Sequence, residues 1–286
     1  MTDPPIRSVS DTALWVAYYR AMESERPDAH FHDPYARRLA GERGERIVKT
    51  LRQGRAMSWV MILRTVCIDE LVLRLVSQGV DTVINLAAGL DTRPYRMDLP
   101  ASLRWIEVDF PEMIAYKQQQ LENDTARVRL ERIPLDLANV ESRRQLFDQV
   151  SSSASKVAVI SEGLLGYLQP GAVSALAQDL HHQPEFQYWI SDLASPAILE
   201  RTRKHWGKQL SAANAPMYFA PAEGPEFFRP LGWNLVEFRE FLDESRRLKR
   251  QMPMAWLMRA TERLFPKRFA QLRQKWRSGV ILMERA

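Results

Sequence analysis

The stretch that decides the fold reads Val83-Ile84-Asn85-Leu86-Ala87-Ala88-Gly89-Leu90-Asp91-Thr92-Arg93. An apolar run opens here into a turn of small residues, and Asp109 ends a second apolar run twenty positions after Gly89. In a doubly wound α/β sheet, such a turn lets the backbone approach a ligand, and an acid at the next strand tip accepts hydrogen bonds from ribose hydroxyls. The spacing predicts a nucleotide-type site; the alternative is an ordinary βα unit with an acid at a strand end.

The number of glycines in this turn bears on the kind of cofactor. Three glycines, as in the G-x-G-x-x-G pattern, make room for a pyrophosphate, whereas this turn has only Gly89. A single glycine suits a nucleoside cofactor without phosphates, and S-adenosyl-L-methionine (SAM) is the leading candidate. An NAD-dependent oxidoreductase is the alternative enzyme class, but Ala87 and Ala88 would crowd a pyrophosphate.

The composition indicates a globular chain with one large α/β domain or two small ones. Of its 286 residues, 45% are hydrophobic and 26% are charged. The single cysteine, Cys67, excludes an internal disulfide and a Cys-rich metal site, and its apolar neighbours predict a buried thiol; no metal is predicted. No signal peptide is visible and no apolar run reaches the ~18 residues of a membrane span, so we expect a cytoplasmic protein.

Positive charge is concentrated near the end of the chain. Residues 246–277 hold eleven Lys and Arg but one acid, Glu262, although the net charge of the chain is only +5. Such a segment could attract an acidic carrier protein, a nucleic acid or an anionic membrane, so a non-enzymatic binding module is a third hypothesis. No nucleic-acid motif is recognised there, and no nucleic-acid partner is expected. The favoured interpretation is a solvated helical surface whose apolar residues pack inward: Met252, Leu257, Met258, Leu264 and Phe265.

The order of the predicted elements indicates the fold class. The first eighty residues read as helices, including one from Met57 to Val76. From Thr82 onward, short β-rich runs alternate with stretches long enough for crossover helices, which predicts a mostly parallel sheet. The predicted strands cover residues 83–86, 103–108, 128–133, 156–161, 186–191, 233–238 and 278–284.

Five parallel strands followed by two late strands, the last antiparallel, form the pattern of a Rossmann-like class I methyltransferase. We therefore predict a mostly parallel seven-stranded sheet with helices on both faces. Residues 1–80 would form an N-terminal helical extension, and residues 81–286 the SAM-binding domain. Residues 195–230 hold five prolines and no clear strand, which predicts a helical lid insertion over the strand tips.

Polar residues just past the strands are the candidates for the site, because a ligand lies across the carboxyl ends of such a sheet. Each acid by itself could be a helix N-cap or a solvated turn residue. Four tips that each carry Gly or an acid are much less expected by accident. From strand one to strand four, the candidates are Gly89, Asp109, Asp136-Leu137 and Glu162.

Several segments together resemble those of a known family. They are residues 85–96 (Asn-Leu-Ala-Ala-Gly-Leu-Asp-Thr-Arg-Pro-Tyr-Arg), 107–111 (Glu-Val-Asp-Phe-Pro) with Lys117, 136–137 (Asp-Leu) and 162–168 (Glu-Gly-Leu-Leu-Gly-Tyr-Leu). N-terminal matches are Asp33-Pro34-Tyr35-Ala36 and the Arg64-Thr65 pair with Asp69. The pattern resembles the leucine carboxyl methyltransferase family of SAM-dependent O-methyltransferases, most closely its bacterial branch of tetracenomycin-type polyketide O-methyltransferases. The resemblance covers about residues 12–195; Ala87 departs from it, since the family commonly has Gly there.

The resemblance implies which residues hold the methionine part of SAM. Arg64 would bind the carboxylate through a bidentate ion pair, and Arg20 would supply a second contact. Gly89 would let the backbone approach, and Glu162 would lie near the sulfonium and the amino group.

The nucleoside part would lie at the next two strand tips. The resemblance implies that Asp109 binds the ribose hydroxyls and that Asp136 and Leu137 frame the adenine. Arg93 has two interpretations: it could present its charge to an anionic acceptor, or it could brace the loop by pairing with Asp91.

The acceptor side is less defined by the sequence. A carboxylate acceptor is already ionised, whereas a phenol needs a base, and no His–acid pair is evident by spacing. Tyr167 is the substrate-side candidate, because the family position implies a hydrogen bond from its hydroxyl to an acceptor carboxylate; a buried aromatic is the alternative. The predicted function is a SAM-dependent O-methyltransferase acting on a carboxylate or hydroxyl of a small, polyketide-like acceptor or one bound to an acidic carrier protein.

Overall fold

The computed structural model describes residues 9–50, 58–212, 216–251 and 255–286. The strands of these residues form one seven-stranded sheet in the order β3-β2-β1-β4-β5-β7-β6. The strands are β1 (Thr82–Leu86), β2 (Arg104–Asp109), β3 (Arg129–Pro134), β4 (Val157–Ser161), β5 (Phe186–Ala194), β6 (Trp233–Glu240) and β7 (Ser278–Arg285). β1 to β5 are parallel, and β7 runs antiparallel to β5 and β6, which confirms the predicted fold class.

Helices cover both faces of the sheet. They are α1 (Val9–Ser24), α2 (Ala36–Thr50), α3 (Ser58–Ser77), α4 (Arg93–Arg96), α5 (Pro111–Gln120), α6 (Val140–Ser151), α7 (Pro170–His181), α8 (Pro196–Ala212), α9 (Phe241–Arg247), α10 (Ala255–Leu264) and α11 (Pro266–Lys275). Met57, the predicted start of the third helix, lies outside the described residues. Within the described parts, no helix has the length and apolar character needed to cross a membrane.

The central strands are buried on both faces, as expected where helices cover a parallel sheet. Successive side chains of a strand point to opposite faces, so Val83 joins one hydrophobic core and Ile84 the other. The Val83 side is shared with α1, α2 and α3, and the Ile84 side with α6 and α7. Cys67 belongs to the first core, and burial raises the pKa of its thiol to about 12, which confirms the predicted buried thiol.

The strand order places a crevice at the carboxyl ends of β1 and β4. The chain extends the sheet from β1 through β2 to β3, then returns to place β4 on the other side of β1. Such a reversal of strand order leaves a gap between the connections above the strand tips, and ligands of open α/β sheets bind there. The loops after β1, β2 and β4 border this gap.

The two helices between α9 and β7 differ from the sequence prediction. Leu257, Leu264 and Phe265 were expected to pack inward, but all three are exposed, and α10 has no buried residue. The reason is that α10 and α11 pack mainly against each other, and Phe269 is the buried residue of α11. Met258 borders a small cavity with Trp59, whereas Met252 lies outside the described residues.

A buried ion pair lies beneath the predicted site. The Glu107 side chain on β2 accepts hydrogen bonds from Lys117 Nζ at 2.7 Å and from Arg132 Nε at 3.0 Å. Glu107 and Lys117 have no exposed side-chain surface. Removing one partner of such a pair leaves a desolvated charge, which destabilises a protein far more than the intact pair stabilises it.

We predict that Lys117→Met lowers the free energy of unfolding by about 3–5 kcal/mol, measured by urea denaturation. The double variant Glu107→Gln/Lys117→Met recovers much of this loss, because the desolvated carboxylate is removed as well and Arg132, whose side chain is 15% exposed, keeps its hydrogen bond to Tyr95. Lys49→Met is the matched control: its pair with Glu45 is exposed, so the change costs under about 1 kcal/mol. A Lys117→Met variant as stable as the control contradicts the prediction.

Candidate cofactor site

The first two strand tips meet through one hydrogen bond. The backbone N–H of Gly89 donates to Asp109 Oδ2 at 2.6 Å, and the N–H of Phe110 donates to Oδ1 at 2.7 Å. Burial raises the pKa of the Asp109 carboxyl, and the two N–H bonds offset this only in part. A carboxylate offers about four acceptor positions, so Asp109 retains acceptor capacity for a pair of hydroxyl groups.

The turn after β1 is built from left-handed backbone. Gly89 has φ +47°, which glycine adopts without steric penalty, and a Cβ atom there would lie 3.2 Å from that of Ala13. Ala87 also has a positive φ, 52°. An alanine in this region is strained by about 1–2 kcal/mol, which explains why glycine suits the position better.

Two arginines converge on the carboxylate at the tip of β4. Arg64 Nε donates to Glu162 Oε1 at 2.9 Å, and Arg93 Nη1 donates to Glu162 Oε2 at 2.8 Å. Burial by itself would raise the pKa of Glu162, but the two guanidinium groups outweigh it, so the pKa lies below its ordinary value. Glu162 is therefore ionised at neutral pH. The structure thus brings Arg64 on α3 to the strand tip, 98 positions from Glu162 in sequence.

Arg93 braces the loop, which decides between its two interpretations. Its side chain is 2% exposed. Besides Glu162 it binds Asp91 Oδ2 at 2.8 Å and Asp69 Oδ1 at 2.7 Å. Asp69 in turn accepts two hydrogen bonds from Arg96. A guanidinium with three carboxylate partners has little capacity left for an acceptor.

Asp192 is a site residue that the sequence analysis missed. Its Oδ1 accepts a hydrogen bond from Gly163 N at 2.5 Å, and its Oδ2 forms an ion pair with Arg64 Nη1 at 3.3 Å. The strand-tip rule points to it, because Asp192 directly follows the predicted end of the fifth strand at Ser191, but the candidates named from the sequence stop at the fourth strand. In the structure β5 continues to Ala194, because β7 pairs along its whole end.

The side chains at the third strand tip are more exposed than those at the first two. Asp136 is exposed, and its Oδ1 accepts a hydrogen bond from Ala138 N at 2.9 Å, which closes a turn. Leu137 is partly buried, and its carbonyl accepts from Arg143 Nη1 at 2.8 Å. Leu135 N donates to the Asp109 carbonyl at 2.8 Å, so the turn follows directly from the tip of β2.

Arg20 reaches the loop after β1 from α1. Its Nε pairs with Asp33 at 2.8 Å, and its Nη2 donates to the carbonyl of Leu90. Asp33 also accepts from Thr92 Oγ1 at 2.6 Å. In this structure Arg20 therefore holds the loop after Gly89 against the N-terminal helices.

Tyr167 lies close to the same helix. It ends a short 3-10 helix (Leu165–Tyr167) that follows Glu162, and its hydroxyl hydrogen-bonds with Thr12. Burial raises its pKa, so the hydroxyl stays protonated at neutral pH. Thr12 at Tyr167 and Ala13 at Gly89 show that the start of α1 covers the loops after both β1 and β4.

Three histidines make contacts with residues outside the candidate site. His30 Nε2 contacts the carbonyl of Leu248, and the exposed His205 of α8 contacts the carbonyl of Arg201 through Nδ1. His181 packs edge-on against Trp233.

Comparisons with known proteins identify relatives of the chain. A sequence model of the leucine carboxyl methyltransferase family matches residues 13–181. A protein from Frankia alni named "Putative S-adenosyl-L-methionine-dependent methyltransferase" is 36% identical over 234 residues, which are 78% of this chain and 79% of that protein. A relative of the same name from Mycolicibacterium paratuberculosis is 36% identical over 183 residues, 59% of this chain and 60% of that one.

Solved structures share the whole architecture. A DUF574 family protein from Streptomyces avermitilis superposes with a TM-score of 0.62 at 16% identity, covering 96% of this chain and 97% of that one. A protein from Thermobifida fusca superposes with a TM-score of 0.60 at 14% identity, covering 99% and 96%. At such identities the likeness concerns the fold alone.

We predict that Asp109→Asn changes how stability depends on pH. Because the carboxyl pKa is raised in the folded protein, its contribution to stability is fully present below the unfolded pKa near 4 and is lost as pH rises through the folded pKa. The free energy of unfolding of the unmodified protein minus that of the variant should therefore fall between pH 4.5 and 7.5, measured by urea denaturation.

Asp109→Ala serves as the control, since it also removes the titrating group and should give the same slope with a different offset. A difference that grows with pH would show that the folded protein favours the ionised carboxylate.

Proposed function

Because the chain belongs to the leucine carboxyl methyltransferase family and is a SAM-dependent methyltransferase, we propose that it methylates an oxygen of its acceptor. The observation that carries this proposal is the convergence of Gly89, Asp109, Arg64 and Glu162 on the carboxyl edge of the sheet. The acceptor oxygen belongs to a carboxylate or a hydroxyl of a small molecule, polyketide-like or held by an acidic carrier protein.

We assign the nucleoside part of SAM to the tips of β2 and β3. Asp109 would bind the ribose hydroxyls, since its carboxylate is fixed by two backbone N–H groups and keeps free acceptor positions. Asp136 has one oxygen engaged in its turn, and the other would accept from the adenine amine. Leu137, partly buried beside it, would pack on the ring.

The methionine part is assigned to the tips of β1 and β4. Arg64 uses Nε and Nη1 for Glu162 and Asp192, and a guanidinium has five N–H donors, so others remain for the cofactor carboxylate. Gly89 and Gly163 provide close backbone approach, the latter with φ +68°. Arg20 supports the loop after Gly89 and is proposed as a second contact.

The charge of the site suits a cation. Three arginines and four carboxylates form the network, which leaves one excess negative charge: Arg64, Arg93, Arg96, Asp69, Asp91, Glu162 and Asp192. When bound, SAM supplies a methyl group on a positively charged sulfonium. The attraction between such a charge and the surrounding carboxylates is stronger in a partly buried site than it is in water.

The residue expected next to the methyl acceptor, Tyr167, favours an acceptor group that is already ionised. Tyr167 keeps its proton at neutral pH, so its hydroxyl can donate a hydrogen bond but does not act as a base. A carboxylate needs no base, whereas a phenol does. We therefore propose a carboxylate as the preferred acceptor, with Tyr167 orienting it, as holding reactants in geometry supplies much of the rate in such transfers.

The aromatic residues near the lid do not add to the acceptor proposal. Phe219, Phe227 and Phe228 form edge-to-face contacts with one another, and Phe228 also packs on Trp189. These rings belong to the hydrophobic core on the Ile84 side of the sheet. Packing within this core thus accounts for them.

We predict that Arg64→Met weakens binding of S-adenosylhomocysteine at least about tenfold, because a charge-assisted pair with the carboxylate is lost. Decarboxylated SAM lacks that carboxylate and should lose little affinity, measured by isothermal titration. Arg74→Met on the same helix, whose pair with Glu237 is partly exposed, is the control and should affect neither ligand. Equal losses for both ligands would show that Arg64 acts through the fold and not on the carboxylate.

We predict methyl transfer from labelled SAM to carboxylic acids with a rate nearly independent of pH between about 6 and 9. Tyr167→Phe should lower kcat/KM for the acceptor about tenfold, since one hydrogen bond to a charged group is removed, with S-adenosylhomocysteine affinity nearly unchanged. Activity confined to phenols, with a rate that rises with pH, contradicts the preference for carboxylates. Methylation only of nitrogen or carbon acceptors overturns the O-methyltransferase proposal itself.

A further inference from the structure

The helices α10 and α11, here called the basic hairpin (residues 255–275), expose bulky apolar side chains. Leu264, Trp256 and Phe265 are 70%, 62% and 57% exposed. Trp256, Leu257 and Leu264 lie on one stripe of α10, because positions i, i+1 and i+8 fall within about 100° of the helix circumference. Phe265 continues the stripe at the joint with α11. An outward stripe of this kind is unusual among surface residues, which are mostly polar.

The cations of this segment fall into two groups. The inner group forms ion pairs between the hairpin and the rest of the chain: Arg246 of α9 pairs with Glu262 of α10 at 2.5 Å, and Arg273 of α11 pairs with Glu240 of β6 at 2.9 Å. These pairs anchor the hairpin, together with the buried Phe269. The outer group consists of exposed cations that pair with no acid among the described residues: Arg259, Arg263, Lys267 and Arg268.

We propose that the outer face of the basic hairpin binds an anionic membrane surface. Trp256, Leu264 and Phe265 would enter the boundary between headgroups and acyl chains, and the outer cations would contact the headgroups. Interfacial helices combine an apolar stripe containing Trp, Phe or Leu with flanking Lys and Arg in this way. Cations beside the surface add attraction to anionic lipids that salt screens.

The combination of exposed side chains favours a bilayer over an acidic protein. An acidic partner would match Arg259 and Lys267. However, Trp256, Leu264 and Phe265 are each more than half exposed, and the last two lie at the joint where one helix ends and the next begins. Side chains at such a joint can insert into the deformable surface of a bilayer, whereas a folded protein partner would need a groove that matches them.

The position of the hairpin links it to the site. Glu240, at the end of β6, pairs with Gly279, and Ser278, at the start of β7, pairs with Ala194 at the end of β5. The hairpin therefore connects strand ends on the same edge of the sheet that carries Glu162. A chain docked through the hairpin would present this edge toward the bilayer.

The test is flotation of the full chain with vesicles of phosphatidylcholine alone or with 30% phosphatidylglycerol. Binding is expected only to the anionic vesicles, and it should fall when salt is raised from 0.1 to 0.5 M. Leu264→Ser/Phe265→Ser removes apolar groups, and Arg259→Glu/Arg263→Glu reverses outer charges. Each double variant should lose at least about tenfold in vesicle affinity.

Two control pairs match these changes elsewhere on the surface. Leu235→Ser/Val236→Ser alters exposed apolar residues of β6, and Arg127→Glu/Arg129→Glu reverses exposed cations near β3. Both should bind vesicles as the unmodified chain does. All variants should keep their affinity for S-adenosylhomocysteine, which reports that the fold is intact and is independent of the acceptor proposal.

Three results would overturn the proposal. The first is no binding to anionic vesicles by a chain that still binds S-adenosylhomocysteine. The second is binding that Leu264→Ser/Phe265→Ser leaves unchanged, which would indicate a charged surface without insertion. The third is binding to polyglutamate as tight as to vesicles, which would indicate an acidic macromolecule as the partner.

Discussion

The site depends on the ion pairs of the buried Arg93 guanidinium. It binds Asp69 of α3, Asp91 of the loop after β1 and Glu162 after β4, and so joins three parts of the chain at one point. Ion pairs this deep contribute little net stability, because desolvation offsets their attraction. Their value lies in geometry, since an unpaired charge at this depth would be costly and few other arrangements satisfy all partners.

The N-terminal helices complete the site as well as the core. Arg64 comes from α3, and Thr12 and Ala13 of α1 lie over Tyr167 and Gly89. A sheet with its crossover helices alone would present the strand tips to water, where screening weakens every charge interaction. The helices shield the carboxylates of Glu162 and Asp192, whose side chains are 15% and 24% exposed, so these groups act in a medium of lower polarity than water.

Charge serves two different purposes in this chain. Around the strand tips, cations and anions are buried and paired, so they define positions. On the basic hairpin, Arg263 and Lys267 remain exposed without acidic partners in the described parts of the chain, so they are available to a partner. The same residue types thus act through short, fixed contacts in one place and through long-range attraction in the other.

The sequence by itself determined the fold class and most of the strand tips. Strand burial and helical period are local signals, and the spacing of Gly89 and Asp109 predicted two residues that are joined by a hydrogen bond. The sequence also predicted the buried Cys67 and a stretch without strands, which the structure has over residues 195–212 and 216–230. The family resemblance supplied Arg64, which spacing alone would have left as a surface residue.

Only the tertiary structure decided how these parts combine. Asp192 joins the candidate site because β5 lies beside β4, which brings its carboxylate to Gly163 N and to Arg64 of α3, 128 positions away in sequence. Leu264 and Phe265 are exposed because no element of the described parts of the chain covers them, although their spacing equals that of core residues. A periodic pattern shows which face of a helix is apolar; what that face meets depends on contacts between distant segments.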